Sequence, residues 1–146
     1  MPERPKSTST LIPYGEPISL DRAKAVMEAA EAEAAREGWP VVIAIVDSGA
    51  NLVMMHRMDQ AQLGSIEIAR LKAETALRFR RPTKAFEERL AEGGVSLRIL
   101  AMPGVAPLEG GLPLVRDGAI VGAIGVSGVQ SHEDAQIARA GLVVLV

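Results

Sequence analysis

The chain has 146 residues, 48% hydrophobic and 23% charged, a balance that fits one globular domain. A net charge of −2, with 16 scattered Lys and Arg, argues against the basic footprint of a nucleic-acid binder. The absence of cysteine removes disulfides, thiolate metal sites, iron–sulfur clusters and Cys nucleophiles, and no run of about 18 apolar residues offers a membrane span.

Residues 1–17, MPERPKSTSTLIPYGEP, carry four prolines and a Ser/Thr run. They are expected to form an irregular arm, disordered or laid across a neighbouring subunit, ahead of a single domain at 18–146. The arm lacks the apolar stretch of a signal peptide, so the cytoplasm is the expected location. Ser19 is an N-cap candidate, with Asp21 in the first turn. Leu20, Ala23, Met27, Ala30 and Ala34 make one apolar helical stripe, which Gly38 ends.

VVIAIVD, residues 41–47, reads as a buried strand, DSGAN as a turn, and LVMMHRM, 52–58, as the returning strand. A period of two puts Leu52, Met54, His56 and Met58 on one face and Val53, Met55 and Arg57 on the other. A second helix is expected over 65–79, broken by Arg80, Arg81 and Pro82, then a short helix from Thr83 to about Leu90. SLRILAM, 96–102, reads as a short strand. LPLVRDGAIVGAIGVSG, 112–128, is the clearest hairpin, with Asp117-Gly118 as its type I′ turn. Ser131 opens the last helix, and Ser131 and Asp134 have capping-box spacing. Its apolar stripe is Ala135, Ala138, Leu142 and Leu145.

Two hairpins and one strand give about five strands, mainly antiparallel, with helices packed on the sheet faces: an α+β domain. Three blocks carry a family resemblance: ISLDRAKAVMEAAEAEA, VVIAIVDSGANLVMMHRMDQAQLGSIEIARLKAETALRFRRPT and GGLPLVRDGAIVGAIGVSGVQSHEDAQIARAGL. In order and spacing they resemble the GlcG/HbpS-like family, which includes the C-terminal domain of PduO-type proteins. The resemblance covers roughly residues 18–146. It implies a profilin-like fold with a five-stranded antiparallel sheet, and homo-oligomers, often large ones such as octamers. It implies haem as a ligand for some members, and for others a place beside catabolic enzymes. Glu133-Asp134 matches an acidic pair common in the family; no axial haem ligand carries over by motif.

Two histidines preclude a three-histidine metal site within one chain. His56 reads either as an iron ligand or general base, or as a strand-face residue packed under a helix. His132 reads as a metal or substrate contact at a helix start, or as a solvated cap residue. Glu133 and Asp134 are candidate proton carriers or helix-start charges. Gly110 and Gly111, with Pro113, can line a pocket or make a tight entry into a strand. Arg80 and Arg81 can clamp a carboxylate or simply end a helix. Lys72 reads as a solvated side chain or as a reach toward a ligand at a subunit interface.

Three functions follow as alternatives. The first is a small-ligand protein, with haem in a pocket built from His56, the loop at Gly110–Pro113 and His132. The second is an enzyme on a small carboxylated metabolite, with Arg80 or Arg81 holding the carboxylate and His132, Glu133 or Asp134 moving protons. The third is an oligomeric accessory protein without a small ligand.

Overall fold

β-branched residues at 42, 43, 45 and 46 favour a pleated strand, and β1 (Val42–Asp47) forms there. The computed structural model describes residues 11–146. β2 (Leu52–Arg57), β3 (Gly111–Arg116) and β4 (Ala119–Ser127) complete one antiparallel sheet in the order β2-β1-β4-β3. The sheet has four strands, not about five. The expected strand at 96–102 is instead a 3-10 segment, Gly94–Ala101, which buries Ser96 and Ile99. Positions three apart share a face at three residues per turn, so one side of this segment packs inward and Leu97 and Leu100 stay exposed.

α1 (Leu20–Glu37) and α4 (Ser131–Leu142) pack on one face of the sheet, against Ile43, Ile45, Ile124 and Val126. α2 (Gly64–Phe79) covers the other face through Ala69, Ala73, Ala76 and Leu77. α3 (Lys84–Ala91) follows α2 and packs against the 3-10 segment. Ser19 caps α1, its hydroxyl accepting from Arg22 N at 3.2 Å. Leu20 lies outside the buried stripe, 52% exposed, and Val26 takes its place inside.

The first hairpin turns as expected: Asp47 Oδ1 accepts from Gly49 N at 2.9 Å and Asn51 N at 3.0 Å. One detail differs. The register shifts between Ile45 and Val46, so Met54 faces Ile45 but Leu52 faces Val46. The extra residue, Val53, packs toward α1 and α4. A bulge of one residue exchanges faces, so Leu52 leaves the face it was expected to share with Met54 and His56. In the second hairpin Asp117 (φ 51°) and Gly118 (φ 77°) supply the two positive φ values of a type I′ turn.

Residues 11–17 lie against the chain's own domain. Pro13 O accepts from Ile120 N, and Gly15 N donates to Ile120 O, both at 2.8 Å. This segment takes the side of β4 that β1 leaves free, since β1 ends at the Asp47–Gly122 pair. The Tyr14 hydroxyl donates to Leu77 O at 2.7 Å and Arg78 O at 3.0 Å. The expectation for residues 1–10 lies outside the described residues.

With aromatics at 3% of the chain, the core closes through small residues and near approach of backbones. A Cβ at Gly125 would collide with Ala69 O and lie 2.5 Å from Ala73 N, so α2 sits on β4 only because that side chain is missing. Gly125→Ala is expected to cost about 1–3 kcal/mol or more. Gly64→Ala, where an added Cβ meets nothing within 4 Å, should leave stability unchanged or slightly raised. Denaturant midpoints of the two variants check this; equal midpoints would contradict the packing account.

Candidate functional site

Lys72 lies on the apolar stripe of α2, between Ala69 and Ala73, and is buried. Its Nζ donates to Val126 O at 2.9 Å and to Asp134 Oδ2 at 3.0 Å. Asp134 Oδ1 accepts from Val129 N at 3.2 Å. α2, β4 and α4 therefore meet at one desolvated ion pair. Burial pushes the Asp134 carboxyl up to about 6; the nearby Lys72 charge and its hydrogen bond, together with the Val129 N–H, pull the other way. The expectation that Lys72 is solvated is overturned: its phase along the helix carries it inward.

Gly110 and Gly111 cover this pair. Gly110 has φ 133°, and a Cβ there would lie 2.7 Å from Val126 O and 2.8 Å from Lys72 Nζ. Gly111 N donates to the buried Thr83 hydroxyl at 2.9 Å, and Thr83 N donates to Gly111 O at 3.0 Å. On the outer side, a cleft of about 150 Å³ opens beside the two glycines. Lys84 and Arg139 flank it, with Glu109 also in its lining. Its size admits a small molecule bearing a carboxylate.

The second polar cluster is at the other edge of the sheet. His56 stands opposite Ile43 on β2, with its Nδ1 against the Glu31 carboxylate of α1. Its side chain is 46% exposed. With Nδ1–H donating to Glu31, the Nε2 lone pair is left available. Met54 and Met58 share this region and pack on the α1 and α4 side with Trp39. An open cleft of about 400 Å³ is lined by Trp39, Pro40 and Met58.

β2 and β3 are opposite edges of the sheet, with two strands between them. At about 4.8 Å per strand, roughly 14 Å separates them. His56 and the Gly110–Pro113 loop therefore do not line one pocket within a chain. Pro113 pairs with Ala123 on edge strand β3, a position where a missing N–H is tolerated, and is not part of the 150 Å³ cleft lining. His132 is exposed in the first turn of α4. Glu133 accepts from Gln130 N at 3.1 Å, so the capping pair is Gln130–Glu133, one residue before the expected Ser131–Asp134. Asp134 is turned inward to Lys72. Arg80 is the αL cap of α2, with its guanidinium 5.5 Å from the Tyr14 ring centre. Arg81 Nε donates to Phe79 O at 2.9 Å, and its guanidinium lies 5.7 Å from the Phe86 ring centre.

Sequence reasoning missed Glu31, Thr83, Lys84, Glu109 and Arg139. Glu31 is 25 positions from His56, and only the fold joins them. Among the described residues no group of three or more His, Asp or Glu is arranged to hold a bare metal ion.

The raised Asp134 value has a signed consequence. A carboxyl whose folded pKa exceeds its ordinary 3.8 favours the folded state at low pH. Its contribution is full below about pH 4 and is lost as pH rises through about 6. The Asp134 carboxyl carbon, followed by NMR, should titrate near 6, and Asp134→Asn should flatten the stability–pH curve between 4 and 6. Titration near pH 4 would contradict the burial argument.

Comparison with known proteins gives the family of the fold. The family described as "Haem degrading protein HbpS-like" matches residues 18–143. Protein GlcG of Escherichia coli (strain K12) is 40% identical over 110 residues, 75% of this chain and 81% of GlcG. The corrinoid adenosyltransferase PduO of Salmonella typhimurium is 32% identical over 105 residues, 70% of this chain but 31% of PduO. The crystal structure of HbpS superposes with a TM-score of 0.82 at 33% identity, covering 100% of this chain and 99% of that one. A PduOC–haem complex gives 0.79 at 29% identity, covering 87% of this chain and 94% of that one. The chain belongs to the HbpS-like family.

Proposed function

We propose that this chain is a small-ligand-binding protein whose ligand is haem, with His56 as the residue that would hold the iron. The observation that carries the reading is the Glu31–His56 pair. A metal-binding imidazole commonly donates its second ring N–H to a carboxylate, which fixes its tautomer and strengthens it as a ligand. The neighbouring Met54, Met58 and Trp39 provide the apolar surface that a porphyrin face needs. The 150 Å³ cleft at Gly110 is too small for a tetrapyrrole, whereas the open β2 edge imposes no such limit. The PduOC–haem complex supports the ligand class. When bound, haem would supply iron redox and ligand-exchange chemistry; His56 would hold it, Glu31 would orient His56, and the methionines would exclude water.

The same reading takes the sheet and its helices as profilin-like, the domain as residues 18–146, and the working form as a homo-oligomer, up to an octamer, in the cytoplasm. Leu63 and Leu100, 73% and 68% exposed, supply apolar surface for such assembly. None of the described helices is long and apolar enough to cross a membrane.

A second reading, an enzyme acting on a small carboxylated metabolite in a catabolic pathway, draws on the cleft beside Gly110 and Gly111. There Lys84 and Arg139 would hold the carboxylate and Glu109 would move the proton. His132, exposed in the first turn of α4 and outside this cleft, is the other residue that could serve as metal ligand or proton carrier.

Haem titration followed by the Soret band tests the first reading. We expect saturable one-to-one binding, lost in His56→Ala and weakened about 10–100-fold in Glu31→Gln. His132→Ala and Arg139→Ala should bind as the parent does. Unchanged binding by His56→Ala would overturn the assignment; loss in His132→Ala instead would move the iron to α4.

A further inference from the structure

A different cleft, of about 240 Å³, lies between α3 and the 3-10 segment. Arg81, Arg89 and Arg98 line it together with Phe86, Ile99 and Met102, and no carboxylate is among its lining residues. Arg36, Arg70, Arg78 and Arg116 each hold a carboxylate, but Arg81, Arg89 and Arg98 are in no ion pair among the described residues. Guanidinium groups stay charged at any working pH, so three positive charges face one small space.

The cleft is shaped for more than a bare ion. Phe86 is buried and fixed edge-on against Phe79, with ring centres 5.1 Å apart. Ile99 is buried beside it. Arg81 is held over the Phe86 ring, and its Nε is occupied by Phe79 O, which leaves its terminal N–H groups for a ligand. Apolar floor and forked cationic rim are the complement of a carboxylated apolar body.

We propose that this cleft binds a small organic anion, two or more carboxylates on an apolar or aromatic frame, at a site separate from His56. Arg89 and Arg98 clamp the carboxylates from opposite walls, and Phe86 and Ile99 support the frame. The site stands independently of the haem reading, because neither its residues nor its charge involve β2.

Isothermal titration of the whole protein with isophthalate tests it, with benzyl alcohol and inorganic phosphate as partial probes. The expected result is one-to-one isophthalate binding that tightens at low salt. Arg89→Ala and Arg98→Ala should each weaken it about tenfold or more. Both are exposed arginines without an ion pair among the described residues, so their thermal midpoints should stay near the parent's. Benzyl alcohol should not bind, and haem titration of the two variants should match the parent. Absence of isophthalate binding at millimolar concentration, equal affinity in the variants, or phosphate binding as tightly as isophthalate would each overturn the proposal.

Discussion

A buried ion pair joins the helices that cover the two faces of the sheet. Lys72, 2% exposed, comes from α2 on one face; Asp134, 3% exposed, comes from α4 on the other. Desolvating two charges is costly, and it is tolerated where geometry is good and the remaining polar atoms are satisfied. Here Nζ has Val126 O as well as the carboxylate, and the second carboxylate oxygen has Val129 N. Removing one partner alone would strand a buried charge, typically at about 3–5 kcal/mol. Neighbouring choices follow from this constraint. The backbone above the pair must come close, so it is Gly110-Gly111. Asp134 must face inward, so Glu133 takes over the cap of α4.

The constraint also separates the chemistry of the molecule into two regions. The β3 edge is tied down by Thr83, Gly111 and the ion pair, and what remains outside is a small cleft between cations. The β2 edge carries no such seal. Its exposed histidine is backed by a carboxylate, and a separate open cleft lined by Trp39, Pro40 and Met58 lies by the end of the same strand. A large planar ligand suits the second region and a small acid suits the first.

Much of the frame was legible in the sequence because local chemistry decided it. Ser19, the Asp47 turn and Asp117-Gly118 each specify a backbone shape through their own side chains or φ values. In the first hairpin the alternation gives the strands and the faces of Met54, Met55, His56 and Met58, but not those of Leu52 and Val53, since a one-residue bulge leaves no mark in the pattern of apolar residues. SLRILAM has strand-like composition, yet Ser96 and Ile99 are buried at a spacing of three, which a 3-10 turn satisfies and a strand does not. Lys72 looked solvated as an isolated lysine; its phase with Ala69, Ala73 and Ala76 was the available signal. Ser131 and Asp134 had the right spacing for a cap, but the partner that claimed Asp134 lies 62 positions away. The Glu31–His56 contact likewise has no sequence signature, because helix and strand periods do not say which helix covers which strand.

The central claim is that iron is bound at the β2 edge by a histidine that α1 orients. A crystal structure of the haem-loaded protein tests it most directly. The account predicts iron bonded to His56 Nε2, with Glu31 still on Nδ1 and the porphyrin against Met54 and Met58. Haem ligated by His132, or seated at the Gly110 edge with His56 free, would contradict it.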